Sequence, residues 1–130
     1  MATSLAGQNA YADLITGIVT DAPVLYFVLL NAACGYETTG AQLDEAGQRF
    51  PLTPGDGFWV DTGNGLRTYT GPATLTVEDG ETYGSVMGYA IVDTQTPSAG
   101  NVLFYGEFSP VTLQGPMILS VIDLTIEVPV

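Results

Sequence analysis

Residue types that carry enzymatic or metal chemistry are scarce in this sequence. The chain contains no histidine, which excludes histidine metal ligands and histidine-based catalytic triads. Its one cysteine, Cys34, therefore has no histidine to activate it, and we expect a buried or interface thiol rather than a nucleophile. The fourteen acidic residues are expected to solvate the surface, since a sequence cannot place two of them at the separation that glycoside hydrolysis needs. We therefore expect no enzymatic activity and no catalytic residues.

Two acidic turns offer the hard oxygen ligands that calcium prefers. One is the segment 78–81 (EDGE), and the other combines Asp56, Asp61 and Asn64. Neither matches the twelve-residue calcium loop with its spaced ligands, and Asp, Asn and Gly are also common turn residues. We therefore expect turns without a metal or a cofactor, with a weak calcium site as the alternative.

Aromatic side chains are the other candidates for recognition, because they stack on sugars and on partner proteins. Trp59 lies between glycine-rich turns at residues 55–57 and 63–65, so both a core position and an exposed recognition ring are open to it. Tyr89 and Tyr105 lie within apolar segments and are expected to make core or subunit contacts. We take these three residues as candidate interface residues.

The charge balance excludes several classes of partner. The chain contains fourteen acidic residues, two arginines and no lysine, which gives a net charge of −12 over 130 residues. Nucleic acids and anionic membrane surfaces are bound through lysine and arginine, so neither is expected as a partner. Charged residues make up 12% of the chain, against about 25% in an average soluble domain. So little charge favours a homo-oligomer, with a trimer expected, over the alternative of a Thr- and Gly-rich monomer.

The candidates must be positioned by one helical segment and a series of strands. Within residues 1–22, Thr3 or Ser4 can cap a helix over residues 3–19, which ends before Pro23. Its apolar side chains recur at spacings of three and four and are expected to pack against the β-domain or an adjacent subunit. Four of them are candidate interface residues: Tyr11, Leu14, Ile15 and Ile18.

The sheet is expected to be organised around a central β-hairpin. Residues 86–92 (VMGYAIV) and 102–108 (VLFYGEF) are rich in β-branched and aromatic side chains, and the turn-forming loop 93–101 separates them. Neither segment alternates between apolar and polar residues. This predicts an apolar neighbour on both faces of the pair.

The other segments give weaker signals. Residues 24–30 form an unbroken apolar run typical of a buried strand, whereas residues 31–54 are predicted to be irregular, with at most a helical turn at residues 41–46. A break is expected at residues 109–110. The segment 118–128 alternates and is expected to be one strand. Its buried face would carry Ile118, Ile122, Leu124, Ile126 and Val128.

Short strands are also expected at residues 58–60, 66–70 and 73–77, separated by glycine-rich turns. This spacing predicts a mainly β fold, an antiparallel β-sandwich or barrel with one short N-terminal helix. The β-domain covers residues 23–130, and it forms a single domain with the helical segment.

The order of these segments is similar to that in a family of small bacteriophage virion proteins, described as tail-fibre-like or as minor capsid and head decoration proteins. An amphipathic helix containing Asn9 is followed by an apolar strand, as in that family. The similarity is most specific over residues 83–128. The matching features there are Tyr83-Gly84, an apolar strand ending at Asp93, Gly100-Asn101, and the strand residues 103–106 (LFYG).

The resemblance implies a β-rich structural component of the virion, with no catalytic motif, and leaves its place on head or tail open. The negative charge favours the outer head surface over the DNA-filled interior. No apolar run reaches 18 residues and the N-terminus lacks a basic region, so we expect synthesis in the host cytoplasm. We expect a capsid decoration or minor capsid (cement) protein bound to the major capsid protein lattice. The alternative is a tail-fibre or baseplate adhesion protein that contacts tail or baseplate proteins and binds a host surface receptor.

Overall fold

The computed structural model describes residues 2–55, 57–63, 66–120 and 124–127, which contain one α-helix and a series of antiparallel strands. The fold is mainly β with a single short N-terminal helix, as the sequence predicts. The helix α1 spans Leu5–Ile15. The strands are β1 (Ala2–Thr3), β2 (Leu25–Leu30), β3 (Glu45–Leu52), β4 (Trp59–Gly63), β5 (Leu66–Tyr69), β6 (Thr74–Val77), β7 (Thr82–Val92), β8 (Val102–Gln114), β9 (Met117–Ser120) and β10 (Thr125–Glu127).

The predicted central hairpin is confirmed and is longer than the sequence indicates. Strands β7 and β8 pair from Thr82 opposite Gln114 to Val92 opposite Val102. Strand β2 pairs with the other side of β7, β3 pairs with β2, and β1 pairs with the other side of β8. The sheet order is therefore β1-β8-β7-β2-β3. The flanking strands satisfy backbone groups on the outer sides of the hairpin only near its loop, where β2 pairs with residues 88–92 of β7 and β1 with residues 104–105 of β8.

Both faces of this sheet are apolar, as the lack of alternation in β7 and β8 predicts. One core cluster combines Phe27 and Ile91 of the sheet with Tyr69 and Leu75 of the shorter strands. The second cluster lies on the opposite face, because neighbouring residues of a strand point to opposite sides. There Leu43 and the partly buried Cys34 pack against side chains of the large sheet: Val28, Leu30, Ala90, Val92 and Val102.

Two smaller sheets form the second layer of the fold. One has the order β10-β5-β4, and the other pairs β6 with β9. Ala73, Leu75 and Val77 are buried, which confirms the predicted alternation of residues 73–77. The apolar interface between this layer and the large sheet is typical of an antiparallel β-sandwich.

A row of aromatic rings crosses four neighbouring strands of the large sheet. The ring centroids of Phe50 and Phe27 lie 5.1 Å apart, those of Phe27 and Tyr89 5.5 Å, and those of Tyr89 and Phe108 6.3 Å. Aromatic pairs at such separations contribute about 0.5–1.5 kcal/mol each beyond the area that they bury. The row therefore helps to fix β3, β2, β7 and β8 relative to one another.

The expectation that residues 31–54 are irregular is wrong, because β3 lies within them and pairs with β2. The apolar period of β3 is interrupted because its register with β2 shifts at a bulge, where Gly47 adopts a φ of +79°. The expected helical turn at residues 41–46 is a 3-10 helix at Gly40–Gln42 instead.

The expected break at residues 109–110 is also wrong, because β8 continues through Pro110 to Gln114. The ladder between β7 and β8 shifts register there. Val86 lies opposite Val111, whereas Gly88 lies opposite Glu107. Proline has no N–H to contribute to a ladder, and a bulge is one of the few places in a sheet where it is tolerated.

The segment 118–128 forms two strands in different sheets, not the one strand expected. Strand β9 pairs with β6, whereas β10 pairs with β5. Leu124 is buried as predicted, but Ile118 is 72% exposed. Its neighbours Met117 and Leu119 pack on the core, so the alternation of β9 points Ile118 outward. Two residues of the expected buried face lie outside the described residues: Ile122 and Val128.

A buried ion pair ties the bulge in β3 to the loop that joins β7 and β8. The Arg49 guanidinium donates to both carboxylate oxygens of Glu45, from Nε to Oε1 over 2.7 Å and from Nη2 to Oε2 over 3.1 Å. Its Nη1 donates to the carbonyl oxygens of Thr94 and Ala99, at 2.9 and 3.0 Å. Oxygen Oε2 of Glu45 also accepts the backbone N–H of Ser98 at 2.7 Å. These charge-assisted bonds replace water around a guanidinium that has no exposed area.

We expect Arg49→Ala to lower the free energy of unfolding by about 3–5 kcal/mol, because it leaves the Glu45 carboxylate buried without its partner. Arg67→Ala is the matched control. Arg67 pairs with Asp61 over 3.2 Å at the exposed surface, so its loss should cost less than about 1 kcal/mol. Urea unfolding followed by far-UV circular dichroism measures both values. Equal losses would contradict the role given to the buried pair.

Candidate functional site

The first turn of the N-terminal helix anchors it to the sheet. Ser4 is the N-cap, one of the two residues predicted: its side-chain oxygen accepts the N–H of Gly7 at 3.0 Å. The Ser4 hydroxyl donates to the backbone carbonyl of Val102 in β8. Gly7 lies so close to the carbonyl of Leu103 that a Cβ at this position would overlap the oxygen. The first turn is therefore held tightly against β8.

The second half of the helix and the residues that follow it present apolar side chains to solvent. Ile15 is 70% exposed and Ile18 75% exposed, and Tyr11 is also exposed, whereas Leu14 is partly buried. The helix ends at Ile15 and not at residue 19 as expected, because Gly17 adopts a φ of +77°, which is typical of a helix C-terminus. We call Tyr11, Ile15 and Ile18 the helix ridge.

An apolar groove of about 180 Å³ lies between the helix and the sheet. Its lining is mainly apolar and includes Ala10, Tyr11, Leu14, Pro23, Phe104 and Ile126. A second cleft of about 320 Å³ shares Pro23, Leu25 and Ile126 with this groove and extends to Trp59 and Arg67. The structure thus connects two sets of sequence candidates, the helix and Trp59, along one apolar surface.

The ring of Trp59 is partly buried. It packs against Tyr69 with centroids 5.0 Å apart and an angle of 52° between the ring planes. Trp59 also lines the second cleft, beside Arg67. The indole therefore contributes both to the core and to the wall of a surface cleft.

Tyr89 and Tyr105 lie on opposite faces of the large sheet. The ring of Tyr89 belongs to the aromatic row and covers Gly106, and burial raises the pKa of its hydroxyl. Tyr105 lies opposite Ala90 in the ladder and packs against the second core cluster. Neither is among the described residues that line the groove beside the helix.

The single cysteine is a partly buried packing residue. Burial raises the pKa of the Cys34 thiol, the Glu107 carboxylate raises it further, and a backbone hydrogen bond opposes these two effects. A raised pKa disfavours the thiolate, which is the form that a nucleophile or a metal ligand needs. Cys34 packs against the second core cluster, as expected for a buried thiol.

The acidic turn at residues 78–81 folds back on itself. The Glu81 side chain accepts the N–H of Glu78 at 2.9 Å, and the N–H of Glu81 donates to the Glu78 carbonyl at 3.1 Å. Burial, and then the charges of Glu81 and Glu78, raise the pKa of the neighbouring Tyr83. The predicted turn is confirmed.

In the other acidic turn, the Asp61 carboxylate also binds groups that are close to it in the chain. Asp61 accepts the N–H of Gly63 at 2.8 Å and pairs with Arg67, while Asp56 and Asn64 lie outside the described residues. In the part of the chain that the structure describes, no group of three cysteine, aspartate or glutamate side chains is placed to hold a metal ion.

No protein-family model matches the chain, and no curated protein matches it. Among the described residues, no helix is long and apolar enough to cross a lipid bilayer.

Two surface features were not apparent from the sequence. Phe108, Val111 and Ile118 are exposed on β8 and β9, although Phe108 lies in a strand expected to have apolar cover and Ile118 was expected on a buried face. The structure also places Asp13 and Asp93, which are far apart in the chain, around one cleft. No local sequence pattern links these two residues, because the packing of the helix on β8 brings them together.

We expect calcium and a chelator to leave the stability of the protein unchanged. Melting temperatures in millimolar calcium and in EDTA should agree within about 2 °C, because a ligand raises stability only if the folded state binds it. Differential scanning calorimetry checks this directly. A larger rise with calcium would show that one of the acidic turns is a metal site.

Proposed function

We propose that this protein is a structural component of a bacteriophage virion, a decoration or minor capsid (cement) protein bound to the outer surface of the head. The observation that supports it most is a pair of separate, exposed apolar surfaces on a chain with few charges. The helix ridge is one of them. The other, which we call the far patch, consists of Phe108 and Val111, which are exposed and line one cleft with Leu119.

The separation of the two surfaces supports a bridging role. The helix is anchored at Leu103, and Val111 lies eight residues further along β8. At about 3.3 Å per residue of extended strand, these two backbone positions are at most about 26 Å apart, and the bulge in β8 between them shortens this distance. A cement protein must hold neighbouring capsid subunits together. Apolar surfaces near opposite ends of one long strand meet that requirement without ion pairs.

The distribution of charge supports the outer side of the head. The chain has a net charge of −12, and one of its two arginines, Arg49, is buried in an ion pair. Packaged DNA would repel such a surface, whereas on the outside the acidic residues favour solubility.

The proposal includes a symmetric homo-oligomer, most simply a trimer, since several linked copies strengthen weak contacts with a repeating lattice.

The resemblance of residues 83–128 to small virion proteins supports the same proposal. Two of the residues that carry this resemblance, Asp93 and Asn101, close the hairpin loop with hydrogen bonds. Both oxygens of Asp93 accept hydrogen bonds from Asn101, at 2.7 Å from the backbone N–H and 2.9 Å from the side-chain amide. Gly100 adopts a φ of +77° beside them.

A tail-fibre or baseplate adhesion protein is the second candidate, and the Trp59 cleft favours it. An aromatic ring next to Arg67 in an open apolar cleft is a suitable surface for a sugar or a peptide of a host receptor. We place it second because the most exposed isoleucines, Ile15, Ile18 and Ile118, are not among the residues that line this cleft.

Purified protein added to heads that lack it should bind at many copies per particle. Binding should persist at 1 M salt, because apolar contacts tolerate salt whereas ion pairs are screened at a Debye length of about 3 Å. It should also raise the temperature at which heads release DNA. Co-sedimentation measures binding, and a fluorescent DNA dye measures release.

An adhesion protein would give a different set of results. It would leave head stability unchanged, be present at a few copies on the tail, and protect host cells from infection when added as free protein. These three results together would contradict the decoration role.

A further inference from the structure

A cleft of about 360 Å³ lies on the other flank of the helix from the apolar groove. Three carboxylates line it: Asp13 of the helix, Asp21 after the helix, and Asp93 at the end of the hairpin strand β7. The amide side chains of Asn9 and Asn101 lie beside them. We call it the acidic cleft.

Apolar side chains complete the lining of the acidic cleft. Leu14, Val19, Pro23 and Leu103 are among them. Val19 is exposed and follows Ile18 of the helix ridge in the chain, and its backbone N–H donates to the carbonyl of Asp13 at 3.1 Å, which brings the end of the ridge to the edge of the cleft. A molecule that covers Ile18 and Val19 can therefore reach the cleft around the C-terminal end of the helix.

This chain does not supply a basic side chain to the acidic cleft. It has two arginines and no lysine or histidine. Arg49 pairs with Glu45 in the interior, and Arg67 pairs with Asp61 at the surface. The position of Asp93 is fixed by the two hydrogen bonds from Asn101, which leave its negative charge in place. The cation that complements this cleft must therefore come from another molecule.

A second copy of this chain is a poor occupant for the same reason. Its single exposed arginine, Arg67, is already paired with Asp61. Contact between two ridges would instead bring the acidic clefts of two chains, each with a net charge of −12, close together. A metal ion is not suited either, since among the described residues no three carboxylates are grouped closely enough to ligate one.

We propose that the helix ridge and the acidic cleft together bind a protein segment that combines an arginine or lysine with large apolar side chains. The basic side chain enters the cleft, with its methylene groups on Leu14 and Val19 and its charged end at Asp13 and Asp21. The apolar side chains of the partner cover Ile15 and Ile18. This rests on the proposed function only for the partner's identity, which would be the capsid lattice.

Head binding by paired variants tests the apolar part of the surface. The double variant Ile15→Ser, Ile18→Ser should bind heads at least about tenfold more weakly, because large apolar side chains at the centre of an interface carry much of its affinity. Val60→Ser is the control, since Val60 is an exposed apolar residue of β4 outside the ridge and the far patch. Its binding should equal that of the wild type.

The contribution of the acidic cleft is tested with two double variants. One removes two charges from the cleft, and the control removes two charges from another turn. Asp13→Asn with Asp21→Asn should weaken binding about tenfold at low salt and leave little difference at 1 M salt, where the charges are screened. Glu78→Gln with Asp79→Asn removes the same net charge from a turn outside the cleft and should bind like the wild type. A double variant of the cleft that binds as well as this control at every salt concentration would overturn the inference.

A defined peptide gives a readout that does not depend on heads. The probe is the blocked peptide Leu-Arg-Ala-Leu-Leu, titrated into the labelled full chain and followed by NMR. Backbone shifts should change at Asp13, Leu14, Val19 and Asp93. The peptide with Glu in place of Arg should leave them unchanged, because it places a like charge in the cleft.

The results separate this surface from the decoration role. Peptide binding in the cleft without head binding supports the surface and contradicts the decoration role. Head binding that neither double variant weakens overturns the surface and leaves the decoration role standing. No peptide shifts together with unaffected variants overturns the surface as well. If Ile15→Ser with Ile18→Ser dissociates a homo-oligomer in analytical ultracentrifugation, a second copy covers the ridge and the inference is wrong.

Discussion

The structure depends on one constraint, a long hairpin that is apolar on both faces. Residues 86–92 of β7 and 102–106 of β8 do not alternate, so neither face of this part of the hairpin can be left to water. The short strands of the second layer cover one face, and Leu43 and Cys34 pack on the other. The buried pair of Arg49 and Glu45 then holds the hairpin loop against β3. The second layer, the packing of Leu43 and Cys34, and the hairpin loop are therefore all attached to β7 and β8.

This constraint also shapes the surface. A chain of 130 residues that fills two apolar cores and carries only sixteen charged side chains has a low density of charge on its exterior. One of its two arginines is used inside the fold, so the exterior is acidic and apolar with almost no basic side chains. Such a surface suits contacts that are mainly apolar. It also suits partners that bring their own positive charge, which is the physical basis of both the decoration role and the proposed binding of a basic, apolar segment.

The sequence predicted the elements whose signal is local. The hairpin, the Ser4 cap and the alternation of Ala73, Leu75 and Val77 each depend on a few neighbouring residues. It did not predict β3, because the bulge at Gly47 interrupts the apolar period. It placed Ile118 on the buried face because alternation cannot show that a chain changes sheets between β9 and β10. The helix ridge was identified as a candidate interface, whereas the acidic cleft was not, since tertiary packing alone brings its carboxylates together.

Cryo-electron microscopy of virions that carry this protein with a fused fluorescent protein domain tests the central claim most directly. The decoration role predicts extra density at regularly repeated positions over the outer surface of the head, in many copies. Each copy should contact at least two neighbouring capsid subunits, because its two apolar surfaces lie near different ends of β8. Density confined to the tail tip or the baseplate, with a bare head surface, would contradict the account.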